Sequence, residues 1–185
     1  MSAKRAPAGR RSVPDKSQAP GATQSAGERR TAEDHVQALI DKFAPAHTSL
    51  VAAMRRSLRK HLPTAHEIVY EYRAWFVISF SPSEHGYEGV LAIRGDADGV
   101  KLYLNQGRDL PDREKLLQGS GQVRFVDVET ASTLARPAVA RLIDEAIARN
   151  RVPFARAGRG PVVIRSVSAR QQQQRKALVR SQSER

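Results

Sequence analysis

The 185-residue chain has no cysteine. This excludes disulfides, thiolate zinc sites and thiol nucleophiles, and gives no support to secretion or thiol redox chemistry. Nor is there a run of about 20 apolar residues, the length that crosses a bilayer. Residues 1–30 hold a single Val among Pro, Gly, Ser, Ala and Arg. They lack the apolar core of a secretory signal, and their Pro and Gly content argues against an amphipathic transit helix. A cytoplasmic protein without membrane contact is the expectation. There is no G-x-S-x-G elbow and no glycine-rich turn followed by Lys, as a phosphate-binding loop requires. The five histidines, His35, His47, His61, His66 and His85, form no i, i+4 pair with a third ligand, so no zinc spacing is visible. Glu84-His85, with Glu88 nearby, comes nearest to a hard-metal pair, but a solvated hairpin tip accounts for it. No metal, cofactor or catalytic residue is expected.

Positive charge is what the chain has in excess, at a net +12. Residues 1–30 contribute +5 and residues 150–185 contribute +8, whereas 31–149 hold 15 basic against 16 acidic side chains. A nearly neutral folded body over 31–149 is therefore expected. It carries a disordered basic tail over 1–30, too poor in apolar residues to offset ordering entropy. A basic extension covers 150–185.

Within the body, Thr31 and Asp34 predict a capped helix start, and Val36, Leu39, Ile40 and Phe43 share one helical face. A second helix is predicted over 48–61, with Leu50, Val51, Met54 and Leu58 inward and Pro63 as its stop. Its outer face carries Arg55, Arg56, Arg59 and Lys60. The period then changes to that of strands at 66–72, 75–81, 89–95, 99–104 and 123–128. Asp96 and Asp98-Gly99 are hairpin chemistry, so the strands form an antiparallel meander. A short helix is expected near 112–117 and a last helix from Pro137 to about Asn150, with Val139, Leu142, Ile143 and Ala146 buried. Residues 161–168 either add an edge strand or dock on the surface. The fold class is α+β: about five antiparallel strands with two N-terminal helices and one C-terminal helix packed against them.

The segments EIVYEYRAWFVISF, GVLAIRGDADGVKLYLNQG and LLQGSGQVRFVDV, followed by the last helix, resemble the small bacterial YdhG-like domain family over residues 45–150. The resemblance implies a cytoplasmic, non-enzymatic α+β domain, mostly without an assigned activity and in one branch compared with frataxin-like iron chaperones. Frataxin-type iron binding uses an acidic ridge on the first helix and first strand. Here the corresponding helices offer Glu33, Asp34 and Asp41 beside a basic row, which is a different surface.

Two candidate sites remain. Tyr70 and Tyr72 share a strand face near Trp75; core packing with hydroxyls at the rim explains them, and the alternative is a small-ligand pocket or stacking surface. Gly119-Ser120-Gly121 precedes a strand, so it is either a plain turn or a backbone nest for an anion. The expected function is a non-catalytic binding or chaperone-type module for an unknown small ligand or protein. The alternative is an RNA-, ribosome- or DNA-associated protein that neutralises phosphates through its tails and through Arg55, Arg56, Arg59 and Lys60.

Overall fold

The computed structural model describes residues 24–166. Two helices, α1 (Ala26–Phe43) and α2 (Thr48–His61), precede strands β1 (His66–Glu71), β2 (Phe76–Ser81), β3 (Leu91–Asp96), β4 (Gly99–Leu104) and β5 (Arg124–Asp127). A third helix, α3 (Pro137–Ala148), and a sixth strand, β6 (Val162–Ser166), follow. The sheet order is β5-β4-β3-β2-β1-β6, antiparallel throughout except that β6 runs parallel to β1. The α+β class is thus as the periodicities predict, with one strand more.

Alternation along each strand sorts the side chains. Val69, Ile78, Ile93, Leu102 and Val126 face one another across successive pairs, and all belong to the buried cluster that also takes Val36, Ile40, Met54, Leu58 and Ile143 from the helices. Burying one such side chain stabilises by about 1.5–3 kcal/mol, so this inner face holds the fold together. Gly95 on β3 has no side chain because the Phe76 ring fills the space a Cβ would take.

Three expectations change. Helix α1 starts at Ala26, five residues before Thr31. Ser25 is the cap: its hydroxyl accepts from the Glu28 N–H at 3.3 Å, and the Glu28 carboxylate accepts from the Ser25 N–H at 2.9 Å. Thr31 lies inside the helix and donates its hydroxyl to the Gly27 carbonyl. Secondly, 112–117 is not helical. The Asp112 carboxylate takes the N–H groups of Leu116 and Leu117 at 2.9 and 2.7 Å, and Lys115 sits at φ 54°, outside the helical region. Thirdly, 31–149 is too narrow. The Gln24 side chain both donates to the Val162 carbonyl and accepts from its N–H, and Arg29 donates to the Gly160 carbonyl. Segments assigned to opposite tails therefore hold each other along β6.

The entry into β6 is tight. Gly160 donates its N–H to Pro63 at 3.1 Å, and a methyl group on its Cα would overlap the Ala65 carbonyl. At Gly121 a methyl group meets nothing within 4 Å. Gly160→Ala is therefore expected to cost about 1–3 kcal/mol in urea unfolding, as overpacking against rigid backbone does. Gly121→Ala should leave the midpoint unchanged; equal midpoints for the two variants would contradict the docking of β6.

Candidate binding surface on the outer face of the sheet

The inner face of β1 carries a charge. Glu67 lies opposite Phe80 on one side and Val162 on the other, and its side chain is 4 % exposed. An isolated carboxylate there would cost several kcal/mol, so it must be paired. Helix α2 supplies the partners. Arg55 donates Nε and Nη2 to Glu67 Oε2 at 3.0 and 2.8 Å and Nη1 to Glu33 Oε2 at 2.9 Å. Arg59 donates Nη2 to Glu33 Oε1 at 2.6 Å and Nε to Glu67 Oε1. Two arginines and two glutamates thus close a quartet linking α1, α2 and β1. Burial alone would raise the Glu33 carboxyl, but the Arg59 hydrogen bond and the charges of Arg55 and Arg59 outweigh it and hold the group below its ordinary value.

The quartet corrects the expected basic row. Arg55 is buried and Arg59 half-buried, both turned inward; Arg56 and Lys60 alone of the four are exposed. Drawing either inward arginine to a phosphate would strip Glu67 of a partner, costing more than the roughly 0–1 kcal/mol of an exposed ion pair.

The outer face is built differently. Register places Tyr70, Val77, Arg94, Lys101 and Asp127 in one cross-strand row and Ile68, Ser79, Ala92, Tyr103 and Phe125 in the next. Tyr72 and Trp75, at the β1–β2 hairpin, stack with ring centroids 5.2 Å apart. Arg94 lies 4.6 Å over the Trp75 ring, donates Nη1 to the Tyr103 hydroxyl at 3.3 Å, and pairs with Asp96 at 3.1 Å. Tyr103 in turn tilts against Phe125 at 5.3 Å, and the Lys101 ammonium sits 4.5 Å over Phe125 while pairing with Asp127. A ring–cation–ring–ring–cation chain therefore runs from the β1–β2 hairpin over β3, β4 and β5.

The connection from β2 to β3 folds back over the same face. A methyl group on Gly86 would overlap the Tyr70 hydroxyl, and one on Gly89 would overlap Ser79 Oγ. Between those glycines Tyr87 is 82 % exposed, stacked 5.3 Å from His85. His66 is pushed below its ordinary pKa by burial, against the pull of Glu84, and its Nδ1 has no partner among the described residues. Burial, helped by Tyr70, raises the Tyr72 hydroxyl, so it remains a donor.

No family model, curated protein or solved structure matches this chain. Its own geometry is the guide to the site. Of the candidate ligand residues, Tyr72 and Trp75 come together, whereas Tyr70 turns toward Gly86. Gly119-Ser120-Gly121 lies across the sheet, in the turn that returns from Gln118 to Phe125, with three strands separating β5 from β1. They do not form one pocket. Both groups nevertheless border the outer face, since a Cβ on Gly119 would sit 3.6 Å from the Phe125 ring. Sequence reading missed Arg94, Lys101, Tyr103, Phe125 and Tyr87. Alternation within GVKLYL and VRFVDV puts Lys101, Tyr103, Phe125 and Asp127 on one parity, but only register aligns them with Trp75.

The donor set does not fit iron. Among the described residues no three His, Asp or Glu side chains stand together, Glu33 is held by two arginines, and Asp41 accepts from Gln37 at 2.8 Å.

Since the Glu33 carboxyl is lowered in the folded state, its contribution is complete above the ordinary carboxyl pKa of about 4.3 and is lost as pH falls through the lowered folded value. Urea midpoints followed from about pH 6 down to about pH 3 should fall less steeply for Glu33→Gln than for the parent chain. Parallel profiles would show that Glu33 is not stabilised by its arginines.

Proposed function

We propose that this chain is a non-catalytic binding module, of the kind the YdhG-like resemblance implies, whose recognition surface is the outer face of the sheet. The observation that carries this reading is the partition of aromatic side chains. Phe43, Phe76 and Phe80 lie in the core and Phe154 packs against it. All four tyrosines, the single Trp and Phe125 lie on the outer face or on the connection above it. A sheet face that only meets water is served by small polar and charged side chains. Half-exposed rings beside charges give large rigid contact area with polar tips, as ligand surfaces do.

The inner charges support a non-catalytic role, since the quartet neutralises itself. A cleft of about 420 Å³ between the 111–114 segment and α3 does collect carboxylates, but Asp112 is spent on backbone N–H groups, Glu114 pairs with Arg141 at 2.9 Å and Glu145 with Arg149 at 2.9 Å. Three of the four carboxylates in the lining are thus engaged, which leaves Asp144 alone where acid–base work needs two groups facing one substrate. Among the described residues no helix is long and apolar enough to cross a membrane.

Trp75 emission reports on this face. A panel of mononucleotides, short oligonucleotides, polyphosphate, acidic peptides, ferrous iron and divalent cations should contain one class that quenches or shifts it saturably, with the metals alone silent. A panel in which nothing perturbs Trp75, or one in which iron raises the thermal midpoint while Trp75 stays unmoved, would remove the outer face as the binding surface.

A further inference from the structure

We infer that the outer face is a stacking platform for single-stranded nucleic acid, with bases laid on the Tyr72–Trp75 and Tyr103–Phe125 ring pairs and phosphates met by Arg94 and Lys101. The inference rests on the reading of the outer face as the binding surface and names its ligand class.

Spacing comes first. The two ring pairs stand at the β1–β2 hairpin and on β4–β5 with β3 between them, two to three strand spacings apart across the sheet and two cross-strand rows apart along it, roughly 15–20 Å in all. Sheet surfaces of this kind take two or three unstacked bases on their aromatic side chains. Arg94 bridges the gap, touching the Trp75 ring and the Tyr103 hydroxyl. Its Nε has no partner among the described residues.

The chemistry of the face selects the ligand. Each ring pair has a cation over one of its rings, so the fitting ligand is planar and anionic at once, and a nucleotide chain repeats that pair of properties. A protein partner fits poorly. Interface cores take rings and Arg but are depleted of Lys and Asp, and here Val77 and Arg94 lie in one row with Lys101 and Asp127. A duplex fits no better, because its bases are read from grooves by a protruding helix or ribbon, which a sheet face of half-buried rings does not offer. Asp96 and Asp127 do not close the site. Half-exposed ion pairs are weak, and phosphate oxygens can take over Arg94 and Lys101.

Charge outside the described residues agrees. Residues 24–166 carry 21 Lys and Arg against 17 Asp and Glu, leaving +8 of the +12 to residues 1–23 and 167–185 in equal shares. Strand β6 ends at Ser166, paired with Glu71, one residue short of Tyr72.

The test titrates the full chain with a twelve-residue oligothymidylate, the corresponding duplex and a polyphosphate of similar charge, following Trp75 at low and moderate salt. The single strand should quench Trp75 saturably and bind at least about tenfold tighter than the other two. Tyr72→Leu and Phe125→Leu should each weaken it about 5- to 150-fold, the cost of losing stacking under one base. Lys101→Gln removes a partly exposed charge of the platform outside the core, and should weaken the single strand severalfold with an unchanged thermal midpoint, so it decides the matter if the other variants unfold. Equal affinity for polyphosphate with Trp75 unmoved, duplex binding as tight as the single strand, or a Lys101→Gln variant with parent affinity would each overturn the inference. Should another class quench Trp75 while the oligothymidylate does not, the ligand is wrong and the outer-face reading stands; if nothing quenches it, both fall.

Discussion

The structure depends on one buried carboxylate. Glu67 stands on the helix-facing side of β1, and its charge is tolerable there only because Arg55 and Arg59 reach it from α2 while Glu33 balances them from α1. Buried quartets of this kind are weak evidence for net stability, yet removing one member strands the others. Their effect here is on arrangement. A one-residue slip of β1 would move Glu67 to the outer face and bring His66 and Tyr70 inward, so the quartet fixes register along with the apolar pattern. Once it is closed, the helix layer has one place to sit, and the opposite face of the sheet is left to the β2–β3 connection and to water.

That division explains the side chains on each face. Inside, rings are phenylalanines and charges cancel in place. Outside, all the rings but Phe125 carry hydroxyl or indole N–H groups that can stay hydrated, and the cations lie over rings while making partly exposed ion pairs with Asp96 and Asp127. The charge on Arg55 and Arg59 is spent on a buried carboxylate, whereas Arg94 and Lys101 pair with carboxylates nearer the surface. Net charge alone cannot tell these apart, because it counts a guanidinium spent on a buried carboxylate the same as one poised over an indole.

Much of the fold was legible from periodicity. Helix α2, the five-strand meander, the Asp98-Gly99 hairpin and the Pro137 start of α3 all follow from local signals that agree with the final packing. What escaped had non-local causes. The Ser25 and Glu28 capping box sat inside a segment whose composition read as a tail, and its stability comes from Gln24 and Arg29 reaching residues 160–162, more than 130 positions away. Asp112 looked like a helix start but uses its carboxylate on Leu116 and Leu117 in a turn. The basic row on α2 was visible as a row, yet which arginines face inward depends on a glutamate in another element. At the candidate surface, Tyr72 and Trp75 were found because they are close in sequence. Arg94, Tyr103 and Phe125 join them only through strand register, which the sequence does not display.

The central claim is that ligand meets this protein on the ring-bearing outer face and not on its basic ends or on α2. Ultraviolet cross-linking to a short oligouridylate, followed by peptide mapping of the adducts, tests that claim directly. Adducts at Tyr72, Trp75, Tyr87, Tyr103 or Phe125 are predicted. Adducts confined to residues 1–23, to 167–185, or to the peptide carrying Arg56 and Lys60 would contradict it.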